Sequence, residues 1–152
     1  MGEAATLLVN RASLHEVTNH LLLVDGLFLP PLSSRVNIQS YAQKIMDSAT
    51  RFEAWCGDNM IGLVAAYLND QQSHIGYLTN VSLLREWTGK GLAGRLLDKC
   101  FSHAKAAGIQ QICLEVAGDN VPAMSLYTKR GFVVGHATGA YITMHLEMKD
   151  AS

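Results

Sequence analysis

Apolar positions recur along the chain at two different periods, and the changes of period mark out its elements. Ser13 and Glu16 have capping-box spacing, and "VTNHLLLVDG" then carries apolar residues at helical spacing as far as Gly26. "LFLPPLSSRV" interrupts with Pro30 and Pro31 and reads as a loop. Asn37 can cap a second helix over 38–49, with Ile38, Tyr41, Ala42, Ile45 and Met46 on one face. Strand patterns follow. "RFEAWCG" alternates, Gly57-Asp58-Asn59 turns, and "MIGLVAAYL" runs back, which predicts a hairpin. Asn69 and Asp70 open another turn, and "HIGYLTNVSLL" is a strand with enough polar positions to be functional.

The second half alternates between the two periods. "LAGRLLDKCFSHAKAAG" predicts a helix with Leu92, Leu96, Leu97 and Phe101 on one face and Gly108 as its stop. "QQICLEVAG" reads as a short buried strand. "NVPAMSLYTKRG" reads as a helix opened by Asn120 and Pro122 and closed by Gly131. "FVVGHATG" and "AYITMHLEMK" complete the chain as two strands. This order predicts a mixed α/β arrangement around one sheet, and 152 residues suit a single domain over 1–152.

Composition narrows the classes. With 49% hydrophobic and 16% charged residues the chain reads as a globular protein. A formal net charge of -1 gives no electrostatic case for nucleic acid or an anionic membrane. No apolar run reaches membrane-spanning length, and the amino terminus lacks the basic start and apolar core of a secretory signal. "MGEAAT" matches the letters of a myristoylation site, but no basic cluster follows to help a single acyl chain anchor. Cys56, Cys100 and Cys113 form no C-x-x-C pair, so buried thiols are expected rather than zinc or disulfides. His74, His136 and His145 read as ordinary strand residues, and no metal is expected.

"TGKGLAG", residues 88–94, carries the candidate chemistry. Glycines let a backbone approach a phosphate, and the amides of a helix N-terminus point at its charge. The G-x-G-x-x-G letters fit a dinucleotide turn, and Glu115, 21 residues after Gly94, sits where a ribose-binding acid belongs. Against that, "REWT" separates the strand from Gly89, and the chain ends in consecutive strands rather than βα units. A nucleoside triphosphate loop needs a lysine and a hydroxyl after its last glycine; Arg95 and Leu96 stand there, and Leu96 cannot coordinate magnesium. A CoA pyrophosphate loop, or a plain loop before a helix, stays open on these letters.

The flanking residues add a resemblance. "VSLLREWTGKGLAGRLL" followed by "LEVAGDNVPAMSLYTKRGF" resembles the GNAT N-acetyltransferase superfamily, whose loop pattern is [QR]-x-x-G-x-[GA]. Its next signature is matched by Asn120, Ala123, Leu126, Tyr127, Gly131 and Phe132. One departure stands out: Thr88 occupies the usual Gln or Arg position. The resemblance implies an α/β (α+β) fold with a single mixed, mostly antiparallel sheet flanked by helices on both faces. It implies acetyl-CoA as co-substrate, with Thr88, Gly89, Lys90, Gly91, Leu92, Ala93, Gly94 and Arg95 around the pyrophosphate. Val81, Ser82 and Leu83 would meet the pantetheine and the thioester carbonyl, and Asn120 the pantetheine arm. Tyr127 matches the family's general acid, and Glu115 the base of its ribosomal-protein N-terminal acetyltransferases. Asn80 and Tyr77 are alternative groups for positioning a water.

The implied activity is transfer of an acetyl group to a primary amine by direct attack in a ternary complex. Acceptor choice in the family lies in the first helices, their loop and the last strands. Here Phe28, Pro30, Pro31 and Leu32 make an apolar lip, with Arg35 as an anion handle. A likeness to small acetyltransferases found with sugar-polymer biosynthesis enzymes makes an amino sugar the first expected acceptor. A peptide amine and a non-catalytic CoA-binding module are the alternatives. The expected partner is a small-molecule amine, not nucleic acid or membrane; a homodimer is left open, and a cytoplasmic location is expected.

Overall fold

The computed structural model describes residues 4–28 and 30–148, so the first letters of "MGEAAT" lie outside the described residues. The strands β1 (Thr6–Val9), β2 (Thr50–Cys56), β3 (Asn59–Tyr67), β4 (Ile75–Leu83), β5 (Gln111–Ala117), β6 (Val133–Thr138) and β7 (Tyr141–Glu147) form one sheet. Its order is β1-β2-β3-β4-β5-β7-β6, and β4 with β5 is the parallel pair in an otherwise antiparallel ladder. The helices are α1 (Leu14–Val24), α2 (Ile38–Ser48), α3 (Leu92–Ala106) and α4 (Val121–Lys129).

The caps read from the sequence form. Ser13 and Glu16 satisfy each other's backbone amides at the start of α1, and the Asn37 side chain accepts from Ser40 N at the start of α2. The short strand β1 had no legible signal. It is four residues long, lies at the sheet edge, and exists by pairing Thr6–Val9 with Phe52–Trp55.

Two apolar layers sandwich the sheet. Leu92, Leu96, Leu97, Cys100 and Ala104 of α3 pack with Phe52, Val64, Ile112 and Leu114 on one face. Val17, Leu21, Ala42 and Ile45 of α1 and α2 pack with Trp55, Leu63 and Ala65 on the other. No β5, β6 or β7 residue joins that second cluster. The expectation of a buried strand at β5 is therefore corrected: Ile112, Leu114 and Val116 are buried, but Glu115 is exposed because no helix covers that side. β6, at the sheet edge, is exposed along its whole length because neither apolar layer reaches it.

Two side-chain expectations also change. Cys100 is buried, and burial pushes its thiol up to about 12, whereas Cys56 and Cys113 are half-buried. His74 is not a strand residue; it takes a positive φ of 58° in the turn before β4. Among the described residues no group of three or more His, Cys, Asp or Glu could hold a metal ion, and no helix is long and apolar enough to cross a membrane.

The site is positioned by an irregularity in the middle of the sheet. Asn80 and Leu78 pair with the adjacent Ala65 and Ala66, so Thr79 is an extra residue that bends β4. Pairing of β4 with β5 stops after Ile75–Tyr77 against Gln111–Cys113. From there the two strands diverge, and among the described residues no strand pairs with the β5-facing edge of β4 beyond Tyr77. A wedge opens between them, and β5 leaves the β4 wall of it without ladder hydrogen bonds.

Candidate active site

The first part of the site is the start of α3. After β4 the chain makes a 3₁₀ turn over Arg85–Trp87 and then the glycine loop. Gly89 and Gly91 take φ of 77° and 78°, a left-handed conformation that disfavours side chains, although a Cβ at either would meet nothing within 4 Å. Gly91 is the N-cap and has no side chain to offer. The first amide answered within the helix is that of Arg95, which donates to Gly91 O at 3.2 Å. The amides of Leu92, Ala93 and Gly94 are thus left for a ligand, at the positive end of a helix of 15 residues. Gly94 serves differently: a Cβ there would collide with the Arg130 guanidinium, which passes over the first turn to Asp98 Oδ1 at 3.2 Å.

These amides open into a groove of about 350 Å³ between the glycine loop and α4. Its walls are Val81, Ser82 and Leu83 of β4, then Thr88, Gly89 and Gly91–Gly94, then Pro122, Ala123, Leu126 and Tyr127 of α4. The structure so gathers most of the positions assigned to a cofactor. Lys90 and Arg95 are exposed and do not line the groove; the Lys90 ammonium lies 5.4 Å from the Trp87 ring centre.

Asn120 and Tyr127 belong to α4. Asn120 caps that helix, its Oδ1 accepting from Ala123 N at 3.2 Å, so it holds a structural role whatever its side-chain amide meets. Tyr127 is 8% exposed, packs against the Phe132 ring at 5.7 Å, and has its phenol held above the ordinary tyrosine range by burial. Its hydroxyl makes no hydrogen bond among the described residues. Tyr127 walls both the groove and a second cleft that continues up the wedge.

That second cleft runs between Leu78–Val81 and Leu114–Ala117, with Asn120 at its base. Phe28, Leu32 and Arg35 from the α1–α2 loop and Tyr141 from β7 form its mouth. Glu115 stands there with Arg35 Nη2 3.7 Å from its Oε1, the two side chains 40% and 42% exposed. Tyr77, half-exposed beside them, has its phenol pushed up by burial and by the Glu115 charge.

One buried polar chain escaped the sequence reading. The Ser82 hydroxyl donates to Asn80 Oδ1 at 2.8 Å, and His20 Nε2 lies 3.0 Å from Ser82 Oγ. The Tyr41 hydroxyl donates to Thr79 O at 2.7 Å, and Asn80 Nδ2 stands 3.5 Å from it. The signal for His20 was present: it falls at helical spacing with the buried Val17, Leu21 and Val24. Burial lowers its pKa to about 4, with the Met60 backbone offsetting part of the shift.

Comparison with known proteins places the fold. In solved structures, PH1933 from Pyrococcus horikoshii superposes with a TM-score of 0.77 at 21% identity, covering 96% of this chain and 99% of that one. The PaiA N-acetyltransferase of Thermoplasma acidophilum, solved with coenzyme A, gives 0.74 at 18%, covering 93% and 99%. The ribosomal-protein-S18-alanine N-acetyltransferase of Escherichia coli gives 0.74 at 17%, covering 98% and 97%. In sequence, an N-alpha-acetyltransferase MAK3 of Arabidopsis thaliana is 24% identical over 76% of this chain, and a mycothiol acetyltransferase of Corynebacterium glutamicum 28% over 57%. These matches span 62% and 29% of the relatives' own lengths. The model of the acetyltransferase (GNAT) family matches residues 23–132, well over half of the chain, and this protein belongs to that family.

Proposed function

We propose that the protein is an acetyl-CoA-dependent N-acetyltransferase that acts on a primary amine, with a small molecule such as an amino sugar as the first acceptor to test. The observation that carries this reading is the position of Tyr127, shared between the groove with unanswered helix amides and the cleft that holds Glu115. The residues present fit CoA. The amides of Leu92–Gly94 suit a pyrophosphate, and the unpaired edge of β4 suits the amide groups of a pantetheine arm. Thr88 at the groove wall leaves that binding to backbone rather than to a Gln or Arg side chain.

Acetyl-CoA supplies an activated acetyl thioester. Glu115 takes the proton from the amine nitrogen as that nitrogen bonds to the acetyl carbon. Tyr127 gives its phenolic proton to the sulfur as the carbon–sulfur bond breaks and the electron pair leaves on sulfur. Burial suits Tyr127 to this role, because it keeps the phenol protonated at neutral pH. Partial exposure suits Glu115, which must return its proton to solvent.

A peptide α-amine is the second reading, supported by likeness to proteins named N-alpha-acetyltransferases from Schizosaccharomyces pombe, 37% identical over 38% of this chain, and Arabidopsis thaliana. A thiol-release assay with acetyl-CoA against amino sugars, small amines and peptides tests both. Turnover with amino sugars supports the first acceptor, and turnover confined to peptides the second. Binding of CoA without turnover on any amine would leave only a CoA-binding module.

A further inference from the structure

The mouth of the acceptor cleft presents a cation whose hydrogen-bond donors are unused. The Arg35 guanidinium carbon lies 4.3 Å from the centre of the Tyr141 ring. A cation over a ring face is held there without using its N–H donors. Its contact with Glu115, at 3.7 Å, is too long for a hydrogen bond, and the side chain makes none among the described residues. The backbone beneath it is fixed. Buried Leu32 anchors the loop, Arg35 N donates to Leu32 O at 3.0 Å, and the Asp25 carboxylate accepts from Ser33 N and Ser33 Oγ at 2.6 and 2.8 Å. An arginine on an anchored loop, held over a ring and unbonded at the entrance of a cleft, has much of its ordering cost met before a ligand arrives.

We propose that Arg35 is an anion subsite and that the acceptor is a primary amine carrying a carboxylate or phosphate close to its nitrogen. This deepens the acetyltransferase reading and rests on it. The charge pattern supports it. An ammonium entering alone would share Glu115 with Arg35 and crowd two cations around one carboxylate. An acceptor bearing both charges gives its ammonium to Glu115 and its anion to Arg35, so every charge gains a partner. The anion can also form paired hydrogen bonds with the guanidinium edge, which Glu115 does not do at its present distance. The apolar walls at Phe28 and Leu32 add surface but no counter-charge.

The test uses pairs of amines that differ only in the anion, with the purified protein and acetyl-CoA. The pairs are an α-amino acid and its amide, an amino-sugar phosphate and the parent amino sugar, and a dipeptide with Asp or Asn second. The pair with the largest ratio identifies the source of the anion. Charged hydrogen bonds of this type imply a kcat/KM ratio of about 10- to 100-fold for the anionic member of at least one pair. Arg35→Gln should bring that ratio close to one, and Arg35→Lys, which keeps the charge but not the planar pair of donors, should retain part of it. Thermal unfolding checks that both variants fold. A wild-type ratio near one for all pairs would overturn the proposal, as would a ratio that survives in Arg35→Gln. If CoA binds but no amine is acetylated, the acetyltransferase reading fails. Calorimetric titration of the same pairs into the CoA-loaded protein then decides the Arg35 subsite: tighter binding of the anionic member, lost in Arg35→Gln, supports it, and equal or undetectable binding of both members overturns it.

Discussion

Acid should weaken this fold through one imidazole. His20, on α1, is 1% exposed with its ring against Ser82 of β4, and burial holds its pKa at about 4 against an ordinary 6.5. The Ser82 hydroxyl hydrogen goes to Asn80, so His20 Nε2 is the nitrogen that donates to Ser82 Oγ. A second proton would therefore add charge at Nδ1, which is buried without a well-formed hydrogen bond. In the unfolded chain the same ring takes up its proton below about 6.5. Between these two values the unfolded state binds more protons, so stability is full above the upper one and falls as pH drops toward the lower. At about 1.36 kcal/mol per pKa unit, the gap amounts to about 3 kcal/mol. Against the ~5–15 kcal/mol that holds a typical domain together, that is a large share. The control is His20→Gln, whose side-chain amide can still donate to Ser82 but does not titrate. Urea unfolding followed by Trp55 and Trp87 fluorescence should show the wild type losing about 3 kcal/mol more than the variant between pH 7 and pH 4. The comparison cancels the carboxylates, which titrate in both proteins. An identical pH dependence in the two would refute the argument and mean that His20 is solvated or partnered in solution.

Three further outcomes test the proposed site. Tyr127→Phe keeps the ring against Phe132 and removes the proton donor, so turnover should fall ~10- to 1,000-fold with nearly normal acetyl-CoA binding; full activity would remove Tyr127 from the mechanism, and loss of folding would reassign it to packing. Glu115→Gln should lower turnover ~100-fold or more without changing CoA affinity; an unchanged pH–rate profile would return Glu115 to a structural role. Gly91→Val should weaken CoA binding in calorimetry and cost ~1–3 kcal/mol of local strain, because a β-branched residue is forced to a φ of 78° at the N-cap; undiminished affinity in a folded variant would move the phosphate elsewhere.

The amino-acid sequence determined the local features. Helical spacing and caps located α1 and α2, and the glycines before Leu92 pointed to a phosphate loop, while Asn120 and Tyr127 stood out only through the family resemblance. Such features are legible because backbone conformation and side-chain periodicity are set within a few residues. Periodicity also shows that a face is buried, as for His20 beside Val17 and Leu21, but not what buries it; Ser82 is 62 positions away. Tertiary structure decided the rest. β1 is a strand only because β2 lies beside it, and β5 is exposed at Glu115 because the layer of α1 and α2, which touches β4 through His20 and Tyr41, does not extend to β5. The wedge depends on the bulge at Thr79 and on where pairing of β4 with β5 stops. Arg35, Glu115 and Tyr141 meet at its mouth from a loop and two strands, and nothing local in the chain encodes their distances. Contacts of that range are fixed by how the layers pack, which only the folded protein contains.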